Sequence, residues 1–386
     1  MKRVILLGSS GSIGESTCKV ARQLPDQMKL VGLAVSSSTH KLLEQAKEFQ
    51  PEAVAVYQED KLNDITGELP NSCRLYSGAQ GLVDLVKETD AEMVLVAIVG
   101  TAGLEPALIA LETGKDLAVA SKEILVMAGE RVTSTAKKYD RAILPVDSEH
   151  NAIFQCLESH KTNQVRRLIL TASGGPFRLL PKNDFNDITL AQALKHPTWN
   201  MGQKITIDSA TMFNKGLEMI EARWLFDVEM ARIDVLVHPQ SIVHSMVEYI
   251  DHSILAQLSH SDMCFPIQYA VTYPDRYANN LRPLDFAELG QLLFEAPDPD
   301  KFPALRLARE AGEAGGTLPA VLNAANEVAV DYFLKEDARF PQIWHTVESV
   351  MQEHDNIASP DLDAIISADS WARRRAQAIY QELAAI

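Results

Sequence analysis

Cysteine is scarce in this chain. Cys18, Cys73, Cys156 and Cys264 are its four, scattered through 386 residues. No two form a C-x-x-C pair, so neither a zinc site nor a disulfide framework is expected, and reduced, mostly buried thiols in a cytosolic protein are the plain reading. Basic charge is also short. The 36 Lys and Arg face 52 Asp and Glu, for a net charge of −16. That balance argues against nucleic acid and anionic membrane surfaces as partners. Phosphorylated small molecules stay open, because local donors bind them rather than global charge. No apolar run reaches the roughly 18 residues needed to cross a bilayer. The chain opens directly on a strand-like run, Lys2 to Leu7, which leaves no room for a signal or transit peptide and predicts a cytoplasmic location.

What is present is an ordinary globular composition, 46% apolar and 23% charged, long enough for two or three cores. Through residue 150 strand and helix signals alternate. Strand-like runs at Val4–Leu7, Leu30–Val35, Ala53–Tyr57, Met93–Val99, Leu117–Ala120 and Ala142–Val146 flank helical stretches such as Glu15–Gln23 and Lys41–Phe49. This rhythm predicts an α/β fold, an N-terminal Rossmann-like, doubly wound parallel sheet binding ligands at its carboxyl edge. Residues 151–273 mix strands (Arg167–Thr171, Ile233–Val237, Ile242–Tyr249, Ile254–Leu258) with helices and read as a central α+β catalytic domain. Residues 274–300 are proline-rich and aperiodic, a linker. Residues 301–386 read as a C-terminal α-helical bundle.

The densest chemistry is Leu144-Pro145-Val146-Asp147-Ser148-Glu149-His150-Asn151. An apolar run ends in two carboxylates at i, i+2. In extended backbone these share a face, where they repel unless a cation sits between them. A divalent metal with oxygen ligands suits them; a solvated strand end is the alternative. A second segment, Asp208-Ser209-Ala210-Thr211-Met212-Phe213-Asn214-Lys215-Gly216-Leu217-Glu218, opens a helix. There Asn214, Lys215 and Glu218 cluster at helical spacing. Glu218 can be the third oxygen ligand, and Ser209, Asn214 and Lys215 are phosphate donors. A surface Lys–Glu pair is the alternative. All-oxygen ligation favours Mg²⁺ or Mn²⁺ over Zn²⁺.

Gly8-Ser9-Ser10-Gly11-Ser12-Ile13-Gly14 follows the first strand and opens a helix. Small residues there let the backbone approach a pyrophosphate at the helix N-terminus. After the second strand the usual ribose-binding acid is missing. Ser36-Ser37-Ser38-Thr39-His40-Lys41 stands in its place, which suits the 2′-phosphate of NADP; a helix N-cap is the alternative. Ser121-Lys122-Glu123 follows the fifth strand, and Lys122 could meet an anionic or polarised oxygen or simply be solvated. Ser173-Gly174-Gly175 could cradle phosphate or join two strands. His196-Pro197-Thr198-Trp199-Asn200-Met201-Gly202 has no regular period and reads as a flap near 193–203, with Trp199 as lid or core anchor.

Taken together, GSSGSIG (Gly8 to Gly14), SKE (Ser121 to Glu123), LPVDSEHNAIFQ (Leu144 to Gln155), SGGPF (Ser173 to Phe177), HPTWNMG (His196 to Gly202), DSATMFNKGLEMIEARWLF (Asp208 to Phe226), HPQSIVHSMV (His238 to Val247) and LNAANE (Leu322 to Glu327) make the chain resemble the 1-deoxy-D-xylulose 5-phosphate reductoisomerase family over essentially its full length. The resemblance implies rearrangement of a ketose phosphate, by retro-aldol cleavage and aldol rejoining, and reduction by NADPH to 2-C-methyl-D-erythritol 4-phosphate. This is the committed step of non-mevalonate isoprenoid synthesis, carried out by a homodimer. It implies Asp147, Glu149 and Glu218 as ligands of a divalent metal (Mn²⁺, Mg²⁺ or Co²⁺), with Lys122 beside them as a catalytic residue. Substrate would be met by Ser148, Glu149, Ser173, His196, Trp199, Ser209, Asn214, Lys215 and Glu218. NADPH would be met by Ser10, Gly11, Ser12, Ile13, Ser36, Ser37, Ser38, Ser121, Lys122, Glu123, Met201 and Gly202. Two segments depart from the family pattern. Ser36-Ser37-Ser38 replaces a frequent Gly-Lys-Asn, and Ser121 replaces an Asn before Lys-Glu.

Competing classes are a metal-dependent sugar-phosphate aldolase or isomerase, which needs no glycine loop, and an NADP sensor, which needs no converging acids. A short-chain dehydrogenase needs Tyr-x-x-x-Lys late in its nucleotide domain. Tyr57 to Lys61 matches, but it directly follows the third strand.

Overall fold

The structure is a computed structural model. It describes residues 1–384 apart from Asn71, Ser159, Lys161 and Asn200. Asn200 of the expected flap therefore lies outside the described residues. The chain divides into two units. Met1–Ile124, Glu130–Asn151 and Asp262–Arg282 form the first; Leu125–Gly129, Ala152–Ser261 and Pro283–Ile386 form the second.

The first unit holds seven parallel strands, β1 (Lys2–Leu7), β2 (Met28–Val35), β3 (Ala53–Val56), β4 (Arg74–Ser77), β5 (Met93–Val96), β6 (Asp116–Val119) and β7 (Ile143–Pro145), in the order β4-β3-β2-β1-β5-β6-β7. Val4 to Leu7, Ala53 to Val56 and Met93 to Val96 are fully buried. Such unbroken apolar runs belong to strands covered on both faces. Cover comes from α1 (Ser12–Gln23), α2 (Thr39–Phe49), α3 (Gly78–Glu88), α4 (Leu104–Glu112) and most of α5 (Glu123–Tyr139). Strand order reverses between β1 and β5, the place where open α/β sheets bind ligands. The expected strands are all present. β4 was not expected: it is short and half exposed, and Arg-Leu-Tyr-Ser carries no apolar run.

α6 (Ser148–Leu157) leads from β7 into the second unit, followed by β8 (Val165–Ala172) and the short α7 (Leu190–Ala193). α8 (Gln203–Thr211) and α9 (Phe213–Phe226) come next, joined at Met212, whose φ of +68° turns the chain sharply. β9 (Ile233–Val237), β10 (Val243–Tyr249) and β11 (Ile254–Leu258) complete a four-stranded sheet in the order β11-β10-β8-β9. α10 (Cys264–Thr272) belongs to the first unit, where it packs on α1. Beyond it are the short α11 (Phe286–Leu289) and the C-terminal helices α12 (Ala304–Ala314), α13 (Leu318–Leu334), α14 (Gln342–Glu353) and α15 (Leu362–Ala384). α13 packs on both α14 and α15, and α12 on α9.

The second unit's core is dense in aromatics. Phe340, fully buried, meets Phe177 at 5.1 Å, Phe333 and Trp344 at 5.6 Å and Phe185 at 6.0 Å between ring centroids, all near edge-to-face. The 283–300 segment is strapped to the sheet. Val237 and Glu295 exchange backbone hydrogen bonds, and Leu293 accepts from His238 Nδ1.

Candidate active site

In the first unit the chain turns at Gly8, where φ is +93° and a Cβ would lie 2.4 Å from the Ala97 carbonyl oxygen. Only glycine fits. The Gly8 and Ser9 N–H groups donate to Ala34 O at 2.9 and 2.8 Å, and buried Ser9 exchanges hydrogen bonds with buried Gln45. The loop is therefore held before any ligand arrives. Gly11 precedes α1 without a side-chain cap, and a Cβ there would meet only Gly8 O, at 3.6 Å. The first-turn N–H groups of α1, at Ser12, Ile13 and Gly14, lack intrahelical partners. An open, capless, glycine-lined helix start fits a pyrophosphate. Ser10 is half-buried beside it.

Ser36, Ser37 and Ser38 lie exposed just past β2. Lys41 Nζ is 2.8 Å from Glu15 Oε1 and donates to Ser10 O at 3.2 Å, so it also tethers the glycine loop. Buried Ser121, just past β6, hydrogen-bonds Ile98 O, just past β5. Lys122 and Glu123 are buried at the start of α5. These cofactor candidates share the sheet's carboxyl edge.

On the same edge, Lys122 Nζ lies 2.7 Å from Asp147 Oδ2. Burial pushes the Asp147 carboxyl up, but the Lys122 ammonium and the His150 imidazole more than offset it and hold it well below the usual carboxylate range. Asp147 Oδ1 accepts from Glu149 N–H at 3.3 Å, and Glu149 Oε2 from Ser148 Oγ at 2.5 Å. The backbone here corrects one expectation. β7 stops at Pro145 and α6 begins at Ser148, so the two acids do not share a pleated face. Asp147 caps α6 and Glu149 sits in its first turn, where the helix dipole favours carboxylates. The helix start, not strand alternation, brings them together. His150, fully buried with Nδ1 3.7 Å from Asp147 Oδ1, was not singled out from the sequence; an imidazole inside a helical run carries no local signal.

In the second unit His196 organises a hydroxyl cluster. Its Nδ1 accepts the N–H of Trp199 at 2.9 Å and of Thr198 at 3.2 Å. Those donors leave the proton on Nε2, which lies 3.0 Å from both Ser173 Oγ and Ser209 Oγ. Ser173 directly follows β8, and its Oγ also accepts Gly175 N–H at 3.2 Å. Glu218 is buried on α9 and held from both sides. Its Oε1 accepts from Asn214 Nδ2 at 2.5 Å, and its Oε2 pairs with the buried Lys215. Met201 is half-buried, and Gly202 caps α8. Trp199 is half-buried, its ring 6.3 Å from that of His244 on β10. Its backbone hydrogen bond to His196 ties the expected flap to the hydroxyl cluster.

The structure thus brings together Lys122 with Asp147, Ser148 with Glu149, and Ser173 with His196 and Ser209, and seats Asn214 and Lys215 on Glu218. Asp147 and Glu149 belong to the first unit and Glu218 to the second. The carboxylates of each unit are hard oxygen donors, each already in a cationic or hydrogen-bonding setting, and oxygens of that kind suit a hard divalent cation.

Comparison with known proteins agrees along the whole chain. Family profiles described as 1-deoxy-D-xylulose 5-phosphate reductoisomerase match residues 4–129, and profiles of its C-terminal domain match 143–226 and 258–375. The 1-deoxy-D-xylulose 5-phosphate reductoisomerase of Thermoanaerobacter pseudethanolicus is 50% identical over 97% of this chain and 98% of its own. That of Pelotomaculum thermopropionicum is 49% identical over 99% and 100%. The Zymomonas mobilis enzyme in complex with NADPH superposes with a TM-score of 0.92 at 40% identity, covering 98% of this chain and 99% of that one. A reductoisomerase complex with NADPH, fosmidomycin and magnesium gives 0.93 at 40% identity, covering 99% of each. On this evidence the chain belongs to the 1-deoxy-D-xylulose 5-phosphate reductoisomerase family.

Proposed function

We propose that this chain converts 1-deoxy-D-xylulose 5-phosphate to 2-C-methyl-D-erythritol 4-phosphate with NADPH and a divalent metal, the committed step of non-mevalonate isoprenoid synthesis. The observation that carries this is the placement, on one sheet edge, of a preformed dinucleotide loop and the Lys122–Asp147 pair. Similar proteins solved with NADPH and with magnesium support the cofactors.

Asp147, Glu149 and Glu218 would hold the metal, which when bound would supply Lewis acidity. NADPH supplies the hydride. Lys122 orients the Asp147 carboxylate and, with Ser148, donates to substrate oxygens while one carbon–carbon bond breaks and another forms. Ser173, Ser209, Asn214, Lys215 and the His196 Nε2–H grip the phosphate. Energy from that remote grip aligns the reacting atoms. Trp199 covers the substrate and excludes water, with Met201 and Gly202 toward the nicotinamide. Ser10 to Ile13 meet the pyrophosphate, Ser121, Lys122 and Glu123 line the nicotinamide side, and Ser36 to Ser38 meet the 2′-phosphate, with His40 and Lys41 adjacent. Mn²⁺ and Co²⁺ are alternatives to Mg²⁺ in the same oxygen set.

The test follows loss of reduced-nicotinamide absorbance with deoxyxylulose 5-phosphate and Mn²⁺, NADPH and NADH in parallel. Metal-dependent oxidation favouring NADPH is expected. Equal use of NADH removes the 2′-phosphate role of Ser36 to Ser38. No oxidation from folded protein favours an isomerase or aldolase without hydride transfer.

The working form is a cytoplasmic homodimer. Among the described residues no helix is long and apolar enough to cross a membrane. β11 lies at the edge of its sheet with Ile254 50% and Leu255 41% exposed. Such an edge calls for a pairing strand, and a second copy supplies one. Ile254→Lys should yield monomer in analytical ultracentrifugation; an unchanged dimer removes β11 as the interface.

A further inference from the structure

Asp208 has no part in the site described above, yet it is buried to 1% exposure in the middle of α8. A carboxylate there costs several kcal/mol of desolvation unless it is fully engaged. It is engaged twice. Oδ2 lies 2.9 Å from Lys204 Nζ, one turn earlier on α8, and Oδ1 accepts from Asn326 Nδ2 at 2.7 Å. Asn326 is fully buried on α13. Helix energetics alone do not explain this arrangement. A lysine in the first turn opposes the dipole, and a cation N-terminal to an acid at i, i+4 is the weaker orientation. The pair is tertiary in purpose: it joins α8 to the C-terminal helices.

α8 is also the element on which the second unit's site is hung. Its cap is Gly202, the end of the flap motif. Ser209, next to Asp208, meets His196 Nε2. The glycine turn after Ser173 rests against the helix end, where a Cβ on Gly175 would lie 2.8 Å from Ser209 O and 3.1 Å from Ala210 Cα. Past Met212 the chain turns directly into α9 with Asn214, Lys215 and Glu218. A shift of α8 therefore moves Ser209 relative to Ser173 and His196.

We propose that Asp208 and Asn326 are positioning residues. Their cross-helix hydrogen bond, charge-balanced by Lys204, fixes α8 so that the Ser173, His196 and Ser209 groups form a phosphate-binding cluster. The inference rests on the phosphate reading of that cluster. A contact between α8 and α13 thereby sets substrate affinity without touching substrate.

The experiment compares Asp208→Asn, Asn326→Ala and Ser209→Ala in the full-length enzyme. It measures KM for the sugar phosphate, KM for NADPH, kcat, and the inhibition constant of inorganic phosphate as a probe of the cluster. Asp208→Asn and Asn326→Ala should each raise the sugar-phosphate KM and the phosphate inhibition constant by about tenfold or more, because small misplacements of binding groups are costly, and change the NADPH KM by less than about twofold. A merely structural role predicts equal effects on both KM values, and that result overturns the inference. So do single variants with both phosphate readouts within about twofold of the parent. If Ser209→Ala leaves phosphate inhibition unchanged, the phosphate reading itself fails. If Ser209→Ala weakens it and Asn326→Ala does not, only the positioning role fails. Should Asp208→Asn be insoluble, Asn326→Ala decides, since it leaves the Lys204 pair in place.

Discussion

Replacing Phe340 tests whether the aromatic core of the second unit supports the site. Phe340 is fully buried, and its ring lies 5.1 to 6.0 Å from four aromatic neighbours at interplanar angles of 65 to 88°. Truncating a buried Phe to Ala costs about 3–5 kcal/mol in transfer and cavity terms. Each edge-to-face pair adds roughly 0.5–1.5 kcal/mol beyond area, but contacts that share one ring do not sum freely. Phe340→Ala therefore belongs at the upper end, about 4–5 kcal/mol. Phe340→Leu keeps most of the volume and loses the ring geometry, at about 1–2 kcal/mol. The assay is built into the chain. Trp199, Trp224, Trp344 and Trp371 are its four tryptophans and all lie in the second unit, so tryptophan fluorescence in urea follows that unit's unfolding. Because Phe177 follows the Ser173 turn and touches Phe340, Phe340→Ala should also weaken phosphate inhibition. A loss below about 2 kcal/mol for Ala, or equal losses for Ala and Leu, refutes the packing energy reckoned for this ring.

Three further outcomes are expected. Glu218→Gln should cut turnover on the order of 10²-fold or more by removing one metal oxygen, with far-ultraviolet dichroism unchanged; near-normal turnover at saturating metal would exclude Glu218 as a ligand. Trp199→Ala, at a half-buried position, should lower kcat/KM by about tenfold while stability moves less than about 1 kcal/mol; unchanged KM and kcat argue against a lid. Burial pushes the Cys18 and Cys264 thiols up to about 12 from an ordinary 9.0. Their stabilisation is complete below pH 9 and is lost between 9 and 12, where only the unfolded chain ionises, at about 1.4 kcal/mol per thiol per pH unit. Cys18→Ala should flatten that alkaline decline in urea midpoints; an equally steep decline assigns it to other groups.

Much of this was legible along the chain because its signals are local. The glycine loop, the apolar runs of β1, β3 and β5 and the helical spacing of Asn214, Lys215 and Glu218 each lie within one or two turns of backbone, where sterics and periodicity act directly. The strand order, with β1 beside β5, is not local, and neither is β4, too short and polar to announce itself. The pairing of Lys122 with Asp147 spans 25 residues, and that of Asp208 with Asn326 spans 118. The same limit explains the error at Asp147 and Glu149, where an i, i+2 spacing suggested a strand face and the chain instead turned into a helix at Ser148. Sequence by itself determined most element types, the chemical inventory and the family. Only the tertiary structure decided which buried charge answers which, because desolvated charges are stable only beside partners, and the fold chooses those partners from distant parts of the chain.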